Sequence, residues 1–238
     1  MTKKTEISSI LKNSESLVEI FNFYVNKRPH HKIFFFKKNN KWISNSFIET
    51  KKRIEKIKNH FINNGIKKGD RVFLLSNNRL EWVEFDLAIM SVGAITVPSF
   101  VTNNQHDNTF IINDCKPKFV VIENDGVYKK NKSFLKMNQS KIITIETSDQ
   151  FENYKNILNK TKMAKKKSST IIKKNISSII YTSGTTGNPK GVVLTHESIM
   201  HNLFGALEIM NEFKLDNERF ISFLPLSHSY ERMAGLYF

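Results

Sequence analysis

The chain has 238 residues, enough for one sizeable core, and its 39% hydrophobic and 25% charged content fits a globular protein, not a fibrous or disordered one. A formal net charge of +15 raises nucleic acid as a partner, but only six of the 37 basic residues are Arg (28, 53, 71, 79, 219 and 232) and the lysines are scattered, so no specific nucleic acid is expected. The single cysteine, Cys115, excludes an internal disulfide, and the longest nearly apolar stretch, residues 87–98, is shorter than the roughly 20 residues a bilayer span needs.

In chain order, residues 15–27 predict an amphipathic helix. Residues 33–36 and 41–44, split by Lys-Lys-Asn-Asn, predict a hairpin. Apolar positions 47, 48, 54, 57, 61 and 62 make a helical stripe over 47–63, stopped by Asn64-Gly65. A turn at Gly69-Asp70 leads to a strand at 72–75. A helix follows at 79–92, with Leu80, Val83, Leu87 and Met90 on one face. Further strands are expected at 95–97 and 119–122, with a helix at 107–115 between them. Residues 128–175, rich in Lys, Asn and Ser, read as surface connections holding one core strand at 141–146. Ile199, Leu203, Leu207, Met210 and Phe213 set a helix over 197–213, and 220–224 reads as a strand. The alternation predicts an α/β fold with parallel strands flanked by helices. The 19 phenylalanines raise the idea of an acyl tunnel, but core packing accounts for most of them.

The run Tyr181-Thr-Ser-Gly-Thr-Thr-Gly-Asn-Pro-Lys-Gly191 lies between the apolar pairs Ile179-Ile180 and Val192-Val193. Such a loop suits polyphosphate. Gly184, Gly187 and Gly191 let backbone N–H groups crowd an anion; Thr182, Ser183, Thr185 and Thr186 add hydroxyl donors, and Lys190 adds a mobile positive charge. It is not a Walker A sequence, because Pro189 precedes Lys190 and Gly191 follows it where that motif needs Gly-Lys-Ser/Thr. A polar hairpin turn is the other reading of the same composition.

The order of residues 181–191, followed by Val-Val-Leu-Thr-His196, closely resembles the AMP-binding signature of the adenylate-forming enzymes, with Asn175 a departure from the Asp common before the strand. Phe223-Leu-Pro-Leu-Ser-His-Ser-Tyr-Glu-Arg232 resembles a second block of that superfamily, in the form typical of long-chain fatty acid–CoA ligases. Gly69 to Val72, Asn78, Glu81-Trp82 and Gly93 to Pro98 match earlier landmarks in order and read as structural.

The resemblance implies the N-terminal domain of the acetyl-CoA synthetase-like fold, and activation of a fatty carboxylate by ATP to acyl-AMP and then to acyl-CoA. Substrates and cofactors would be fatty acid, ATP, CoA and Mg²⁺. Thr182, Ser183, Gly184, Thr185, Thr186, Gly187 and Lys190 would hold phosphates. Lys190 and His228 would act at the reacting groups, with Tyr230 and Glu231 beside the substrate. No protein metal ligand is expected. An aryl or short-chain acid ligase and a non-catalytic nucleotide- or acyl-binding module remain as alternatives. The location expected is cytoplasmic, with peripheral contact at the inner membrane surface as an addition. Residues 1–238 would be a truncated N-terminal part of the adenylation domain, without its C-terminal half and small C-terminal domain, and inactive alone.

Overall fold

Short apolar runs and helical stripes assemble into two sheets, described by a computed structural model for residues 3–137, 140–164, 169–184, 187–210 and 219–233. Helices α1 (Lys3–Asn13) and α2 (Leu17–Lys27) open the chain, the first of them not anticipated from periodicity. Strands β1 (Lys32–Lys38) and β2 (Lys41–Ser46) form a separate antiparallel hairpin. Its turn residues Asn39 and Asn40 both have positive φ, the backbone that matches strand twist in a tight hairpin. Helix α3 (Phe47–Asn63) starts in a capping box: Ser46 Oγ accepts from the Glu49 amide, and the Glu49 carboxylate accepts from the Ser46 amide at 2.7 Å.

Next come β3 (Arg71–Leu75), α4 (Leu80–Ser91), β4 (Ile95–Ser99), α5 (Gln105–Cys115) and β5 (Phe119–Ile122). Residues 128–175 hold more than the one expected strand: α6 (Asp125–Lys130) leads into α7 (Lys132–Met137), β6 (Lys141–Thr144), the short β7 (Glu152–Asn153) and α8 (Tyr154–Lys160). Their periodicity is hidden because each element is too short to repeat a pattern. Several of the abundant asparagines start helices along the chain, since Asn104, Asn124 and Asn153 cap α5, α6 and α8 through their side-chain oxygens. The last elements are β8 (Ile176–Thr182), β9 (Lys190–Thr195), α9 (His196–Met210) and the single turn α10 (Ser229–Glu231). Phe213, expected on the α9 stripe, lies outside the described residues.

The main sheet runs β7-β6-β5-β3-β4-β8-β9, parallel except for the final pair. Its strands alternate between two cores, as period-2 geometry requires. Val72, Leu74, Phe119 and Val121 face the core shared with α3, α4 and α9, whereas Phe73, Leu75, Val120 and Ile122 face α5. Phe61 is fully buried, edge-on to Phe119 with ring centroids 5.0 Å apart, which places this phenylalanine in packing and not in a tunnel.

The helix expected at 79–92 forms as α4, and burial extends beyond its predicted apolar face: every residue from Trp82 to Ser91 is buried, including Glu84 and Asp86. It lies between the sheet and α3, so both charges require internal partners. Residues 220–224 are not a strand; no strand pairs with them among the described residues, and Asn78 holds them instead.

Candidate functional site

Helices after consecutive strands leave the sheet on opposite faces at one place. Helix α4 follows β3 into the first core, and α5 follows β4 into the second. Between the carboxyl ends of β3 and β4 the chain therefore parts, which is where open α/β sheets place ligands. Strand β8 runs parallel beside β4, with Thr96 opposite Ser178, so the loop after β8 opens on the same edge.

That loop closes an antiparallel hairpin, β8 to β9, with Thr182 opposite Lys190 and Tyr181 opposite Gly191. The backbone of this loop is thus that of a hairpin connection. Thr182, Ser183, Gly187 and Lys190 are exposed, and Gly184 is half-buried; Thr185 and Thr186 lie outside the described residues. Gly184 is sterically demanded, since a Cβ there would stand 2.1 Å from the Asn188 carbonyl oxygen. Gly187 has φ +88°, a backbone that side chains disfavour. A Cβ on Gly191 would come within 3.2 Å of the Tyr181 ring. Tyr181 in turn donates to Asp114 Oδ2 at 2.5 Å, which fastens the end of β8 to α5; burial, then this bond, pushes its phenol well up. The loop 182–190 contains one lysine and no acid, so nothing in its own sequence repels an anion.

The second segment attaches to the same edge behind β3. Asn78 Nδ2 donates to the Leu224 carbonyl (2.6 Å) and to Ser222 Oγ (3.1 Å), while its Oδ1 accepts from the Leu226 amide at 2.7 Å. Leu226 and Ser227 are buried; His228 is exposed and begins the α10 turn, its Nδ1 accepting from the Tyr230 amide at 3.2 Å. Tyr230 is exposed and Glu231 is buried. Arg232 is buried with its guanidinium on Asp86, Nε–Oδ2 2.9 Å and NH2–Oδ1 2.5 Å, over the Trp82 ring. Pairwise, Lys190 meets Thr182 across the hairpin, and His228 and Tyr230 share one turn.

His196, which closes the signature strand, is buried; its Nδ1 accepts from the Leu17 amide at 3.4 Å. Burial, then the Arg232 charge, pushes its imidazole down to about 4, so it is neutral at physiological pH. Glu84 is buried against Arg53 (3.2 Å) and the Tyr154 hydroxyl, and burial pushes its carboxyl up to about 7. Sequence reasoning missed the part played by Asn78 and Asp86. Two acids inside a strongly apolar helix were the available signal, because buried carboxylates need partners.

For a magnesium ion the donor chemistry is limited: no group of three His, Cys, Asp or Glu side chains is gathered among the described residues. No helix among them is long and apolar enough to cross a membrane.

The family described as AMP-binding enzyme matches residues 21–238. Fatty acyl-CoA synthetase A of Dictyostelium discoideum is 29% identical over 210 residues, covering 81% of this chain and 30% of that protein. Peroxisomal long chain acyl-CoA synthetase 7 of Arabidopsis thaliana is 31% identical over 192 residues, covering 73% of this chain and 27% of that one. This chain therefore spans less than a third of the length of these relatives. Among solved structures, the fatty acyl-adenylate ligase from L. pneumophila, in complex with acyl adenylate and pyrophosphate, superposes with a TM-score of 0.74 at 23% identity, over 95% of this chain and 39% of that one. That likeness shows the fold: the N-terminal α/β domain of adenylate-forming enzymes.

Proposed function

Because the chain belongs to the AMP-binding enzyme family, we propose that it is the N-terminal part of a ligase that activates a long-chain fatty acid, with ATP, to acyl-AMP and pyrophosphate, and then transfers the acyl group to CoA. The single observation that carries this reading is the acid-free hairpin loop at the carboxyl edge of the sheet, whose Gly184 cannot take a Cβ. A backbone that tight, beside Lys190 and the hydroxyls of Thr182 and Ser183, suits the β- and γ-phosphates of a nucleotide.

A carboxylate oxygen attacking the α-phosphate forms one P–O bond as the bond to pyrophosphate breaks. Two anions must approach, so fixed donors and a positive charge aimed at the leaving group lower the barrier. Lys190 takes that part, and the His228 turn lines the carboxylate side. In the second half, the CoA sulfur attacks the acyl carbon and AMP leaves. A magnesium ion bound with the nucleotide would supply charge neutralisation at the phosphates, beside Lys190.

The test is acid-dependent exchange of pyrophosphate into ATP by the native polypeptide containing this sequence. Lys190→Ala should raise the ATP concentration required about tenfold or more, as expected for a lost charged hydrogen bond of roughly 1.5–3 kcal/mol. His228→Ala should lose acid activation while nucleotide binding holds. Unchanged ATP dependence in the lysine variant would remove the phosphate assignment. A panel of fatty, aryl and short-chain acids decides the substrate class. Mass measurement of the native product tests the assignment to the front part of a longer enzyme; a folded product of 238 residues would overturn it.

A further inference from the structure

The α10 turn that carries His228 is three residues long, too short to hold its own orientation. Its backbone bonds are mostly internal: the His228 amide donates to Pro225 O (2.8 Å) and the Arg232 amide to His228 O (3.1 Å). Among the described residues, the α4 segment holds it at two points. Asn78, ahead of α4, holds residues 222–226 before the turn, and Asp86, within α4, holds Arg232 directly after it. His228 lies between these anchors.

Asp86 has a second attachment. Its Oδ1, besides meeting Arg232, accepts from Thr96 Oγ1 on β4 at 2.7 Å, and Thr96 is the register partner of Ser178 on β8. One carboxylate thus touches both the His228 turn and the strand beside the hairpin that bears Lys190. Arg232 also acts electrostatically on His196, the residue that ends that hairpin.

We propose that Asp86 is a positioning residue: by clamping Arg232 on one side and Thr96 on the other, it sets the spacing between the His228 turn and the Lys190 hairpin. The catalytic meaning of that spacing rests on the ligase reading above; the clamp itself does not. A buried, two-bonded arginine–carboxylate pair is directional, whereas apolar packing of equal volume holds its neighbours without fixing a register.

The experiment uses the native polypeptide containing this sequence and two variants. Asp86→Asn removes the charge. Asp86→Leu with Arg232→Met removes both partners, and so keeps a fold that a lone buried charge would endanger. Amide hydrogen exchange, read by mass spectrometry, should speed up at least tenfold for peptides spanning 222–232, while peptides covering β3 and β5 stay protected. In acid-dependent pyrophosphate–ATP exchange, both variants should show a KM for fatty acid raised about tenfold, with KM for ATP within about twofold of wild type. Unchanged amide exchange at 222–232 overturns the clamp whatever the activity. Faster amide exchange with an unaltered acid KM also overturns the positioning role, leaving a structural ion pair. Should the wild type activate no acid at all, the ligase reading falls, and the amide exchange still decides whether Asp86 holds the turn.

Discussion

His196 and Glu84 should make opposite contributions to stability over nearly the same pH range. Burial pushes His196 from its ordinary 6.5 down to about 4, so the folded state resists a proton that the unfolded chain accepts. Its stabilisation is complete above pH 6.5 and is lost as pH falls toward 4. The drop from 6.5 to about 4 corresponds to about 3 kcal/mol at about 25 °C. Glu84 is pushed from 4.5 up to about 7, so here the folded state holds the proton longer. Stability is therefore lost as pH rises from 4.5 to 7, again by about 3 kcal/mol. The two slopes nearly cancel in the wild type. Urea unfolding at about 25 °C, in steps between about pH 4 and about pH 7.5, separates them when wild type is compared with His196→Asn and with Glu84→Gln. The carboxamide introduced by Glu84→Gln can still accept from Arg53 and bond Tyr154, so that variant changes charge with little change in packing. Wild type minus the histidine variant should rise with pH by about 3 kcal/mol, and wild type minus the glutamate variant should fall by a similar amount. Two flat difference curves, or two of the same sign, would refute the burial argument for both groups.

Two further outcomes test the site. Gly184→Ala must displace the loop by about 1 Å to relieve a 2.1 Å contact with backbone, so nucleotide-dependent activity should fall about 100-fold with the melting temperature unchanged. Gly187→Ala meets open space and only backbone strain of about 1–2 kcal/mol, so its loss should be much smaller; the reverse order would contradict the loop geometry. Asn78→Ala removes three hydrogen bonds to residues 222–226, at about 1 kcal/mol each. Limited proteolysis should then cut at 219–226 faster with the sheet intact, and an unchanged cleavage rate would show that Asn78 is not the anchor.

Elements whose signals are local could be read directly from the residues. Helix α3 is readable at both ends because a six-position apolar stripe and the Asn64-Gly65 stop agree, and the structure adds a capping box at its start. Strand β5 is bounded at both ends because four apolar residues between polar turns leave no other choice. The glycine–threonine loop is legible because its chemistry lies in consecutive residues. What remained hidden depended on partners far along the chain. Residues 220–224 have the composition of a strand, yet backbone pairing is a tertiary decision, and Asn78, 146 residues from Leu224, takes them instead. Asp86 and Arg232 are also 146 positions apart, and each alone reads as an ordinary charge. Only folding, which buries both and brings them into hydrogen-bond contact, turns them into a clamp on the His228 turn.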